Sequence, residues 1–173
     1  MNTLALAQFV ALLRTTPIML QSELAALPDA ITRFRPTPGE WSVNEVLGHL
    51  IEAEQRGFAG RIQRILVEAH HACQGWDPSQ VAQARHDDDQ LARALLAEFV
   101  ALREQSVALV LGLQLDHLAR SGHHPTVGEL SVSDLLYEWL YHDRNHLKQI
   151  ESNIMAWFWP QLGHAQGFYL AGE

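Results

Sequence analysis

The chain has 173 residues, a formal net charge of -8, 47% hydrophobic and 18% charged residues, and one cysteine. That length suits a single domain over residues 1–173, large enough to bury a core without disulfides or a structural metal. The negative balance, with no cluster of Lys and Arg among aromatics, excludes nucleic acid, and the lone Cys73 excludes both an internal disulfide and a thiolate metal cluster.

Apolar positions recur at helical spacing through four long segments, and no run alternates as a half-buried strand does, so the chain reads as all-α. The first segment covers about residues 3–27; Pro17, preceded by Thr16, predicts a kink or restart there. The second, about 42–68, opens at GEWSVNEVLGHL with Ser42 and Glu45 as a capping box and continues its apolar face through Val46, Leu50, Phe58, Ile62 and Ile65. The third, about 88–113, is opened by HDDD, whose negative charges suit a helix N-terminus. The fourth, about 131–154, starts at SVSDLLYEWL with Ser131 and Asp134 in the same capping arrangement. Gly, Pro and polar residues make connections of 28–40, 70–87 and 114–130. The echo of SVNEVL in SVSDLL is explained by shared cap chemistry, although a duplication would also produce it.

The start MNTLALAQFVALLR carries no basic residue before its apolar run, so no signal peptide is expected, and no window reaches 18 consecutive apolar residues. A reducing cytoplasm is the expected location. The high apolar content, with Phe9, Trp157, Phe158 and Trp159 in the first and last segments, predicts a homodimer. The aromatic run MAWFWPQ (155–161) would line a pocket, form a dimer seam or cap the core.

His142 and His146, in HDRNH, lie one helical turn apart, close enough to share one metal ion. The chain has 10 histidines, from which chance yields about 0.6 pairs at this spacing, so spacing alone decides little. His49, in VLGHLIEAE, adds a third histidine to a face that points into the bundle. Three neutral imidazoles in one core would each bury a donor and an acceptor, which is costly unless a common partner such as a divalent metal satisfies them. Three protein nitrogens leave a coordination position open, as in catalytic rather than structural sites. The intervening acid Asp143 separates HDRNH from the HExxH of zinc proteases.

EWSVNEVLGHLIEAE, followed some ninety residues later by SVSDLLYEWLYHDRNHLKQI, resembles the DinB-like (DinB/YfiT) superfamily of metal-dependent enzymes. The likeness runs from the TTP of the first segment through W-S-x-x-E-x-x-x-H-L to H-x-x-x-H-x-x-Q-I. It implies a four-helix bundle in up-down-down-up order, with the 70–87 connection crossing the bundle, and one divalent metal held by His49, His142 and His146. Imidazoles suit Zn, Ni, Fe and Cu, and the expected cofactor is a divalent metal such as Zn, Ni, Fe or Mn. The resemblance also implies an enzyme acting on a small-molecule substrate: a transferase or isomerase using a low-molecular-weight thiol (bacillithiol, mycothiol or glutathione), or a metal-dependent hydrolase. A noncatalytic metal- or ligand-binding stress-response bundle is the alternative, separated from the enzyme by whether the metal sphere is open.

Other candidates follow from position alone. Glu45 and Glu138 each precede a proposed ligand by one turn, so either could orient an imidazole or shuttle protons. His70, His71 and Cys73 fall in one connection and His123 and His124 in another, where a loop and a turn before Pro125 are the simpler accounts and no role is assigned.

Overall fold

The computed structural model describes residues 4–68 and 71–170. Its long elements are α1 (Leu6–Leu24), α3 (Val43–Glu52) continued through a π-helical turn (Ala53–Phe58) into α4 (Ala59–Val67), α6 (Ala92–Leu111) and α7 (Val132–Phe158). Short helices α2 (Asp29–Thr32), α5 (Pro78–Arg85) and α8 (Gly167–Leu170) lie in the connections and at the end.

Contacts along the helices give their directions. Leu4 N–H donates to the Tyr137 hydroxyl and Thr16 to Asp143, so α1 and α7 run parallel. Trp41 O accepts from Asn153 while Glu54 accepts from Trp139, so the second long helix is antiparallel to α7. Asn44 reaches Gln90 and Glu54 reaches Ser106, so α6 is parallel to the second helix. The order is therefore up-down-down-up, as the family resemblance implied. The α3 and α6 helices are neighbours yet parallel, and the segment between them has to travel back along the bundle.

The core has two apolar halves. One gathers Leu13, Phe58, Ile62, Val107, Leu135 and Trp139; the other gathers Leu20, Leu47, Ile51, Leu95, Phe99 and Ile150. Between them each long helix contributes a polar side chain: Thr16, Glu54, Arg103 with Ser106, and Asp143. Arg103 donates to Glu54 through Nε (2.6 Å) and to Asp143 through Nη1 and Nη2 (2.6 and 3.0 Å). Ser106 and Trp139 Nε1 also donate to Glu54. Burial raises the Glu54 carboxyl, against the pull of Arg103.

Several sequence expectations are corrected. Of the kink or restart expected at Pro17, the restart does not occur: α1 is one continuous helix with Pro17 inside it. Pro17 lacks the N–H that would bond Leu13 O, and that freed carbonyl accepts from Arg103 Nη1 at 2.8 Å, so the cost of an interior proline is offset locally. HDDD does not cap α6, whose N-cap is Leu91. Asp87 and Asp88 instead hold the start of α3: Asp88 accepts from Ser42 (2.5 Å) and Arg35 (2.7 Å), and Asp87 accepts from Arg85. Asp87 also packs on Gly48, where an added Cβ would lie 1.8 Å from its Oδ2. The 70–87 connection contains α5, begun by Asp77 as N-cap and Pro78.

The expected loops at 70–87 and 114–130 also contribute a small sheet: β1 (His71–Ala72), β2 (Ser121–His124) and β3 (Gly128–Ser131). The β1 strand is parallel to β2 and β2 antiparallel to β3, with His71 opposite Gly122 and His123 opposite Glu129. Gly122 is required there, since a Cβ would sit 2.8 Å from His71 O. His71, His123 and His124 are thus strand residues, not turn residues, while His70 lies outside the described residues.

Both predicted capping boxes are present, Ser42 with Glu45 and Ser131 with Asp134. The last helix runs past its expected end to Phe158; Trp157 packs edge-on against Phe34, and Phe158 and Trp159 are exposed. Among the described residues no helix is long and apolar enough to cross a membrane.

Candidate metal centre

His49 projects from α3 and His142 and His146 from α7, at the level of the polar layer. The antiparallel packing of those helices brings one ligand atom of each within 4.8 Å of the others. The His49 and His142 Nε2 atoms approach to 2.9 Å. His146 directs Nδ1 at Gln149 Oε1 (2.8 Å), one turn on, which places its proton on Nδ1 and leaves Nε2 as the free lone pair. His49 Nδ1 and His142 Nδ1 have no hydrogen-bond partner among the described residues.

Burial, followed by the neighbouring imidazoles His146 and His142, lowers His49 to about 3; burial, then His146 and Arg103, lowers His142 to about 3. Burial also lowers His146, opposed by its bond to Gln149 and by Asp143. All three are neutral near pH 7, which is the form that ligates. Three neutral, converging nitrogens without a carboxylate among them fit a divalent ion such as zinc, whose bonds to imidazole of about 2.0–2.1 Å place tetrahedral ligand atoms roughly 3.4 Å apart.

Aromatic walls set the rings. His49 lies between Trp41 (centroids 5.1 Å) and Trp76 (5.7 Å, stacked), and Phe58 meets His142 edge-on at 5.2 Å. Phe58 closes the π-helical turn, a feature that often marks functional sites. A cavity of about 400 Å³ opens beside the triad, bordered also by Trp76, Arg61, His124, Thr126 and Glu138.

The remaining candidates separate by their partners. Glu45 accepts from the Ser42 N–H (2.8 Å) and from Arg35 (2.6 Å), so its carboxylate is engaged in the cap and an ion pair rather than directed at His49. Glu138 is exposed and borders the cavity. Asp143, though inside HDRNH, points away into the polar layer. His71 bonds Glu68, and Cys73 is a buried free thiol beside Gly122. His124, given no role from sequence, stands on the cavity rim, and burial lowers its pKa, helped by Arg61. Sequence reasoning also passed over Trp76 and Arg61. Gln149 alone carried a readable signal, its i+3 spacing from His146.

A family model described as the DinB superfamily matches residues 12–150. YuaE of Bacillus subtilis (strain 168) is 26% identical over 145 residues, covering 75% of this chain and 87% of that one. A Bacillus cereus protein (strain ATCC 10987 / NRS 248) named "Putative metal-dependent hydrolase" is 27% identical over 139 residues, covering 77% and 78%. The fold matches that of YfiT from Bacillus subtilis, described as a probable metal-dependent hydrolase with an unusual four-helix bundle topology, with a TM-score of 0.80, 18% identity and coverage of 88% and 89%.

Proposed function

This chain belongs to the DinB superfamily, and we propose that it is a metal-dependent enzyme of hydrolytic type acting on a small molecule in the cavity beside His49, His142 and His146. The observation that carries the reading is the convergence of three neutral imidazoles on the wall of an open cavity. Relatives named as metal-dependent hydrolases support it. A divalent ion held there supplies Lewis acidity, lowering the pKa of water or thiol and polarising a carbonyl.

The chain's own residues supply the rest. Gln149 holds the His146 tautomer, and Trp41 and Trp76 fix the His49 ring. Trp76 and Phe58 exclude water from one side of the reacting group. Glu138 borders the cavity, and in this reading it takes or returns a proton.

Thiol-dependent transfer or isomerisation is the second reading. The only cysteine, Cys73, is buried just past β1 and does not border the cavity, so a thiol nucleophile would have to come from outside. A reducing cytoplasm suits both readings and the free Cys73.

Elemental analysis of untagged protein, followed by ester and amide substrates without thiol and electrophiles with bacillithiol, mycothiol or glutathione, tests them. Turnover without thiol supports hydrolysis; turnover only with thiol replaces it by transfer. A metal-loaded protein inactive across both panels favours the noncatalytic bundle.

A further inference from the structure

The cavity beside the triad adjoins a second one of about 450 Å³, and Arg61, on α4, borders both. Arg56 and Arg64 also line the second, which makes it cationic in a chain of net charge -8, and His71 borders it. The Arg56 charge is answered by Glu52, and the His71 ring hydrogen-bonds Glu68. Arg61 differs. Among the described residues no carboxylate lies within ion-pairing distance of it, and its buried Nε has no acceptor.

Its other contacts are weak. Nη2 reaches the Gln74 carbonyl at 3.4 Å and His124 Nε2 at 3.3 Å. The second contact conflicts with another. Thr126 N–H donates to His124 Nδ1 at 3.2 Å, and a neutral imidazole has a single acceptor nitrogen, so Nε2 then carries the proton. Two donors, one on Arg61 and one on His124, therefore face each other across 3.3 Å with no acceptor between them. Such donors are met by an oxyanion, and an unpaired guanidinium Nε with its neighbouring Nη matches the two oxygens of a carboxylate or phosphate.

We infer that Arg61 and His124 form an oxyanion seat on the rim of the metal cavity, taking the carboxylate or phosphate of a small substrate whose reacting group faces His49, His142 and His146. The assignment of the reacting end rests on the metal-centre reading; the seat itself does not. Trp76, stacked on His49 and with Arg56 6.0 Å from its ring, forms the wall between the anionic end and the reacting end. The substrate class is thus a small anion rather than a neutral amide or ester.

The test uses ¹⁵N-labelled protein stripped of metal on a chelating resin. The Arg61 Nε–Hε resonance is followed while acetate, or in a separate arm inorganic phosphate, is titrated at constant ionic strength. A saturable shift with at least one anion is expected, and the two arms tell a carboxylate from a phosphate seat. Arg61→Lys, which keeps the charge but loses the fork, should weaken binding about tenfold. Arg61→Gln should abolish the response read at the His124 ring while circular dichroism and metal content stay at wild-type levels. His142→Ala should bind the anion as the wild type does, so the result holds even if the wild type carries no metal. Equal, unsaturable shifts at Arg61 and at the surface Arg33 with both anions would overturn the seat, whatever the metal analysis shows.

Discussion

Arg103 and Asp143 form a two-pronged ion pair across the middle of the bundle, both fully buried, one residue from the candidate ligand His142. The pair joins α6 to α7, and through Thr16 and the Leu13 carbonyl it also holds α1. Removing Asp143 leaves the buried Arg103 with Glu54 as its remaining charged partner, so the cost approaches but need not reach the roughly 3–5 kcal/mol of a fully broken buried pair. Asp143→Ala should therefore lower the urea midpoint strongly and Asp143→Asn by less, because the amide oxygen still accepts from Arg103. Equal midpoints for Asp143→Ala and wild type would show that the pair contributes nothing to stability.

His49, His142 and His146 should act as one site. Replacing any one by Ala is expected to lower metal content sharply, since two imidazoles remain; His71→Ala, His123→Ala and His124→Ala should leave it unchanged. Mass-spectrometric metal analysis of the six variants decides this. Full occupancy in His49→Ala would remove α3 from the site.

Gln149 Oε1 accepts a hydrogen bond from His146 Nδ1–H, so Gln149→Leu frees the ring to rotate and to present the wrong nitrogen. Metal affinity should drop roughly 10–100-fold with the helix content unchanged. Competition with a chromophoric chelator measures it; an unchanged affinity would mean that packing alone orients His146.

Stability of the metal-free protein should depend on pH through the buried imidazoles. His49 and His142 stand at about 3 in the folded state against 6.5 in the unfolded chain, so the unfolded state binds more protons between those values. The stability is complete above about pH 6.5 and falls as pH drops towards 3, by up to about 1.4 kcal/mol per pH unit for each histidine. Urea midpoints from pH 7.5 to 4 should show this, and His142→Gln should lessen the slope. An identical slope in the variant contradicts the assignment. Removing metal near pH 7, by contrast, should leave the circular dichroism almost unchanged, because the bundle's apolar core does not need the ion.

A homodimer is the expected state in solution. The neighbouring helices α1 and α7 expose Ile18 (62%), Met19 (48%) and Tyr141 (77%), an apolar set that a second copy would cover. Light scattering at micromolar concentration should give twice the chain mass; a monomer mass would leave that face to solvent.

The helices and their starts were legible in the sequence because amphipathic period and capping are local. Ser42 with Glu45 and Ser131 with Asp134 sit within one turn of the chain, and His142 and His146 share a face by helical geometry alone. Their meeting with His49 could be suggested only by resemblance, since it depends on two helices 93 residues apart packing antiparallel at one depth. Local signals also misled. Pro17 reads as a kink or restart, yet the helix continues through it and Arg103, 90 residues away from Leu13, takes the role of the missing donor. HDDD reads as a helix cap, yet its acids bind Ser42, Arg35 and Arg85, and α6 starts beyond them. Strands of two and four residues are too short to show a period, so the sheet that brings His124 to the cavity left no pattern to read. Chemistry at one turn's range is written in the order of residues; the juxtaposition of Arg61 with His124 and the pairing of Arg103 with Asp143 exist only once tertiary packing selects which distant residues share the space.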